Sequence, residues 1–134
     1  MIYGKDSKGN YPLLSKVAKI SPVFPAVDNK RSVLYIENLC EFVRLVIINN
    51  DKGIFYPQNK EYISTSKLVE MIANVNGKKI LIIKGFGWMI RLLSKKGSLF
   101  LKAFGNFQYH LQMSEYRSDY RVVSFKESIE KTEL

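Results

Sequence analysis

Arg31-Ser32-Val33-Leu34-Tyr35-Ile36-Glu37-Asn38-Leu39-Cys40-Glu41-Phe42-Val43-Arg44-Leu45-Val46-Ile47 changes its period partway along. Residues 32–36 are rich in β-formers and predict a strand. Leu39, Phe42, Val43, Val46 and Ile47 then recur at helical spacing and predict a helix with that stripe buried. A strand that runs directly into a helix is a building block of α/β proteins.

The same alternation continues on both sides. Tyr3-Gly4 reads as a strand end before a polar loop. Asn10 is a candidate cap for a short helix with Pro12 in its first turn, and Leu13, Leu14, Val17 and Ile20 form its expected buried stripe. Pro22 and Pro25 forbid regular helix and force an extended stretch through Phe24. Asn49-Asn50-Asp51-Lys52-Gly53 is a turn, and Ile54-Phe55-Tyr56 predicts a short strand stopped by Pro57. Ser64-Thr65-Ser66 offers caps for a helix that buries Leu68, Met71, Ile72 and Val75 and ends at Gly77. Residues 79–84 predict a strand and residues 88–94 a helix, and a capping box at Ser124-Phe125-Lys126-Glu127 starts a last helix. The expected architecture is a single mixed α/β domain over residues 1–134, too short for a full doubly wound sheet.

Hydrophobic residues make up 46% of the 134, enough to bury a core. Apolar runs such as Leu45 to Ile48 are too short to span a bilayer. No signal-peptide pattern follows Met1, and the lone Cys40 allows no internal disulfide, so a cytoplasmic location is expected. Cys40, inside an apolar helical pattern, is expected to be buried and inert. The net charge of +9 fits nucleic acid, an anionic membrane surface or an anionic small ligand, and does not choose among them.

Catalytic chemistry is sparse. His110 has no Ser or Asp at triad spacing, no metal-ligand cluster is present, and Gly85-Phe86-Gly87 lacks the third spaced glycine of a dinucleotide fingerprint. Arg31 is the sharper feature. It follows the polar turn Asp28-Asn29-Lys30 and stands at the mouth of a predicted strand. A guanidinium there can grip phosphate with two parallel hydrogen bonds. Phe24 and Pro25 supply a candidate flat wall for a nucleobase.

Arg31-Ser32-Val33-Leu34-Tyr35-Ile36-Glu37-Asn38-Leu39 resembles the Arg-Asp-Tyr/Phe-Ile/Val-His/Tyr-Val-Asp-Asp-Leu segment of extended short-chain dehydrogenases, the epimerases and dehydratases of nucleotide sugars. Arg31, Tyr35, Ile36 and Leu39 fall in register. Ser32 replaces the aspartate, and Glu37-Asn38 the acidic pair. Ile2-Tyr3-Gly4, Pro22-Val23-Phe24-Pro25, the stretch from Gly53 to Leu68, and the end from Tyr116 to Thr132 are similar to other segments of that family in the same order.

The resemblance implies a substrate-binding subdomain of an NAD-dependent UDP-glucose or UDP-galactose 4-epimerase of bacterial surface-polysaccharide synthesis. It implies Arg31 on the diphosphate, with Phe24, Pro25 and Tyr35 beside the ligand and Lys102 standing in for a second arginine. The family's glycine-rich Rossmann unit and its Tyr-x-x-x-Lys pair have no counterpart at the expected places: Tyr3 is followed by Ser7 and Tyr11 by Ser15. The chain is therefore expected to be a fragment that lacks the Rossmann domain. It should bind no NAD, hold a UDP-sugar or related sugar diphosphate, and need the partner domain for turnover. A dehydratase or reductase would use the same grip.

The competing reading is a stand-alone basic module for nucleic acid or an anionic membrane. It rests on Trp88-Met89-Ile90-Arg91-Leu92-Leu93-Ser94-Lys95-Lys96, an apolar-basic stretch suited to an interface. With the epimerase reading preferred, no nucleic-acid partner is expected, while contact of this stretch with a membrane surface and a homodimer both stay open.

Overall fold

A computed structural model describes residues 1–85 and 105–134. Strand β1 (Ile2–Tyr3) is followed by helix α1 (Asn10–Ile20), then β2 (Val23–Pro25) and β3 (Leu34–Tyr35). Helix α2 (Ile36–Ile48) starts on the residue after β3. Next come α3 (Thr65–Val75), β4 (Leu81–Ile83), a 3-10 turn over Leu111–Ser114 and α4 (Phe125–Glu133). β1 pairs parallel with β3, placing Ile2 beside Leu34 and Tyr3 beside Tyr35. β2 pairs parallel with β4, placing Phe24 beside Ile82. Helices with two small parallel sheets make the fold mixed α/β, as the alternation predicts.

The strand-to-helix switch falls where the period changes. At that junction β1 leaves through Gly4, where a Cβ would come within 2.5 Å of Ile36 Cγ2. Only glycine lets the chain pass the start of α2 this closely. The caps of α3 and α4 also match expectation: Ser64 accepts from the Lys67 N–H at 3.2 Å, and Ser124 from the Glu127 N–H at 3.3 Å. Ile54-Phe55-Tyr56 forms no strand: among the described residues no neighbouring edge takes its backbone, and Ile54 is 83% exposed.

Two helices are rotated from their expected phase. α1 buries Tyr11, Leu14, Ser15 and Ala18, while Ile20 is 72% exposed. The cause is Glu133, whose side chain is 2% exposed. Its carboxylate accepts from Tyr11 Oη (2.9 Å), Ser15 Oγ (3.0 Å) and Asn76 Nδ2 (3.1 Å), and pairs with Lys19 Nζ at 2.7 Å. Turning α1 to satisfy this buried charge outweighs burying Ile20. α2 turns Asn38 and Phe42 inward and leaves Cys40 exposed, so Cys40 is not the buried thiol expected.

Burial works to raise the Glu133 pKa, but the bonds from Lys19, Asn76, Tyr11 and Ser15 outweigh it and hold the carboxyl below its ordinary 4.5. A carboxylate with a depressed folded pKa stabilises the fold fully above about pH 4.5 and loses that contribution as pH falls through the folded value. Glu133→Gln should cost about 2 kcal/mol at pH 7. It should also flatten the decline of stability below pH 4.5, as read from urea midpoints across pH.

The main core gathers Tyr3, Leu14, Phe24, Ile63, Leu68, Ile72 and Ile129 among others. α3 packs between α1 and α4. A second cluster joins Leu34, Phe42 and Tyr120 beneath α2. A polar chain runs through this interior. Asn38 Nδ2 donates to Asn59 Oδ1 (3.2 Å), Asn59 Nδ2 donates to Tyr3 Oη (3.1 Å), and Tyr3 Oη meets Ser128 Oγ at 2.5 Å. Burial foremost pushes the Tyr3 phenol up to about 12, so it remains a neutral hydrogen-bonding group.

Candidate functional site

Arg31 is held between two extended segments. Its N–H donates to the Ile63 carbonyl at 3.1 Å, and its own carbonyl accepts from the Ile63 N–H at 3.2 Å. On the other side the Phe107 N–H donates to Lys30 O (3.1 Å), and the Ser32 N–H to Phe107 O (2.8 Å). Asn106 Oδ1 accepts from the Lys30 N–H at 2.9 Å, and Ser32 Oγ from the Tyr109 N–H at 2.9 Å. A backbone anchored on both sides fixes the direction of its side chain.

Arg31 lines a cleft of about 440 Å³ together with Lys8, Gly9, Asn10, Gly105, Asn106 and Phe107, and with Met1 and Ile2 at one side. Arg31 is 6% exposed, so the cleft sees only the edge of its side chain, and Nη1 also reaches Gly105 O at 3.4 Å. Burial pulls its pKa below the ordinary value, yet a guanidinium stays charged at neutral pH. The Met1 amino group also titrates low, first through burial and then through the nearby Arg31 charge. Among the described residues, no acidic side chain lines this cleft. α1 begins here with Gly9 at its cap and, among the described residues, no side-chain cap bond, so its first-turn N–H groups can be offered to a ligand.

A second cleft of about 480 Å³ continues from Met1, Ile2 and Phe107. Its walls include Leu39, Phe55, Tyr56, Pro57 and Tyr109. The Tyr56 and Tyr109 rings lie 5.1 Å apart, and the Phe107 and Tyr109 rings meet edge to face at 5.7 Å. A cationic end thus adjoins an aromatic one, an arrangement suited to an anion that carries a flat or ring-shaped group.

The other expected site residues lie elsewhere. Phe24 (5% exposed) belongs to the main core, and neither it nor Pro25 is in the wall of the Arg31 cleft. Its strand pairs with β4, so its ring is used in packing and offers no base-stacking face there. Pro25 contributes a backbone carbonyl to Ser66 Oγ at 3.3 Å. Tyr35 is also core, and its hydroxyl donates to Glu37 Oε1 at 3.0 Å. Lys102 and the stretch from Trp88 to Lys96 lie outside the described residues. The aromatic residues that do line the adjoining clefts are Phe107, Tyr109 and Tyr56, and Lys8 is a further cation beside Arg31.

Among the described residues, no acid-base pair is assembled at the clefts. His110 is on the surface. Tyr56 and Lys60 are four residues apart, but on a non-helical segment interrupted by Pro57, so they do not share a helix face. Among the described residues no group of three or more His, Cys, Asp or Glu could hold a metal ion. Nor is any helix among them long and apolar enough to cross a membrane. A larger groove of about 550 Å³ lies over Asp51, Tyr116 and Arg117. There the Asp51 carboxylate is already engaged by Tyr116 Oη at 2.5 Å and Arg117 Nη2 at 2.6 Å.

Compared with known proteins, the chain matches no family model, and no curated protein or solved structure is significantly similar to it.

Proposed function

We propose that the chain binds a nucleotide sugar of the UDP-sugar class, as the substrate-holding part of an NAD-dependent sugar 4-epimerase. The diphosphate would rest on Arg31, Lys8 and the uncapped first turn of α1, and the ring system against Phe107 and Tyr109. The observation that carries this reading is the position of Arg31, at the edge of a cleft whose described walls hold cations and no carboxylate and which opens into an aromatic one. The likeness of residues 31–39 to the epimerase segment supports it from the sequence. NAD and the proton-transferring residues would come from a partner domain, so this chain alone should neither bind NAD nor turn over substrate. A nucleotide-sugar dehydratase or reductase would need the same grip.

Calorimetric titration with UDP-glucose, UDP and uridine tests the reading. UDP-glucose and UDP should bind in the micromolar range and weaken as salt rises, while uridine, without phosphate, should bind at least about 30-fold more weakly. Equal binding of uridine would overturn the proposal. So would tight binding of single-stranded nucleic acid of arbitrary sequence with a steep salt slope and no response to UDP.

A further inference from the structure

We infer that α2 is a self-association helix that pairs with α2 of a second copy of this chain in the antiparallel sense. The helix has an inner face and an outer apolar stripe. Asn38 and Phe42 face the core, and the opposite side carries Ile36 (40% exposed), Cys40, Val43 (45%) and Ile47 (71%). The spacing of the outer stripe is four, three and four residues, the seam spacing of a helix pair. Run antiparallel about one two-fold point, the stripe is its own complement: Ile36 meets Ile47 of the other copy, and Cys40 meets its Val43.

The flank of this stripe favours a second copy over other occupants. Glu37 and Arg44 stand seven residues apart on the same side of the seam. Antiparallel pairing sets Glu37 of each copy against Arg44 of the other, twice per dimer, and parallel pairing does not. Both are accessible, with side chains 47% and 56% exposed, although Glu37 also pairs with Lys131 and Arg44 with Glu41. α2 holds two carboxylates (Glu37, Glu41) and one guanidinium (Arg44) in a chain of net charge +9. It is therefore an acidic element on which two basic molecules can meet with little repulsion. A lipid surface would instead call for basic flanks. The seam is about 20 Å long, less than a standard interface, so the dimer should be weak and concentration-dependent.

Sedimentation velocity of the full chain from about 5 to about 500 μM should show a reversible monomer–dimer equilibrium with a dissociation constant on the order of 100 μM. Ile47→Glu, at a solvent-facing position, should weaken it at least about tenfold with an unchanged circular dichroism spectrum. Arg44→Glu should weaken it about threefold, and Glu37→Arg with Arg44→Glu should return it to within about twofold of the parent. A chain that stays monomeric throughout, a dimer unaffected by Ile47→Glu, or a charge swap that fails to restore association would each overturn the inference.

Discussion

Arg31→Ala should lower the affinity for UDP-glucose at least about 100-fold, the largest loss expected from any single change in the cleft. The size follows from the partner. A diphosphate held by a guanidinium in a partly desolvated cleft gains charge-assisted hydrogen bonds that water screens poorly. Because Arg31 is almost fully buried, the alanine variant could lose binding through a loosened fold. Two further variants separate these causes. Lys8→Ala lies on an exposed loop and should weaken UDP-glucose about fivefold with no change in melting temperature. Arg31→Lys keeps the charge but loses the fork, and should bind about tenfold more weakly than the parent. Wild-type affinity in both, measured by calorimetry, would remove Arg31 from the site.

Asn38→Leu should cost about 3 kcal/mol of stability and lower the melting temperature by roughly 10 °C. The new side chain is of similar size, so little of the cost is cavity. Asn38 is 1% exposed and closes a loop with Val123, accepting from its N–H at 2.9 Å and donating to its carbonyl at 3.1 Å. Leucine leaves both backbone groups of Val123 buried without those partners, at a penalty of about 1–3 kcal/mol each. Asn59 Oδ1 would keep the bond from the Tyr35 N–H. Glu41→Ala on the solvent side of the same helix should leave the melting temperature unchanged, since its pair with Arg44 is exposed. Calorimetric melting of the two variants beside the parent makes the comparison.

Asn38 also shows why the elements were easier to read than their orientation. The change of period at residues 32–48 marks β3 and α2, and two serine caps mark the starts of α3 and α4. The phase of α2 was hidden because apolar residues lie on nearly every side of it, so spacing alone could not choose the inner face. The choice falls to a polar residue whose partner is 85 positions away. α1 repeats the lesson, since Tyr11 and Ser15 turn inward toward a carboxylate 122 and 118 positions along the chain. In the candidate site, Arg31 was legible from its turn and strand mouth. Its neighbours Asn106, Phe107 and Tyr109 were not, because backbone pairing brings them in from about 75 residues downstream. Phe24 looked like a base platform because it is aromatic and near Arg31 in sequence. Strand pairing sends such a residue to one face or the other, and here that face is the core.

The hydroxyl contact between Tyr3 and Ser128 spans 125 positions, and the Glu133 clamp grips a helix that begins at Asn10. During synthesis, α1 must therefore wait with Tyr11 and Ser15 uncompensated until residue 133 has cleared the ribosomal exit tunnel. Loops of this length close slowly. Until then the part of the chain already made should stay open to proteases and chaperones.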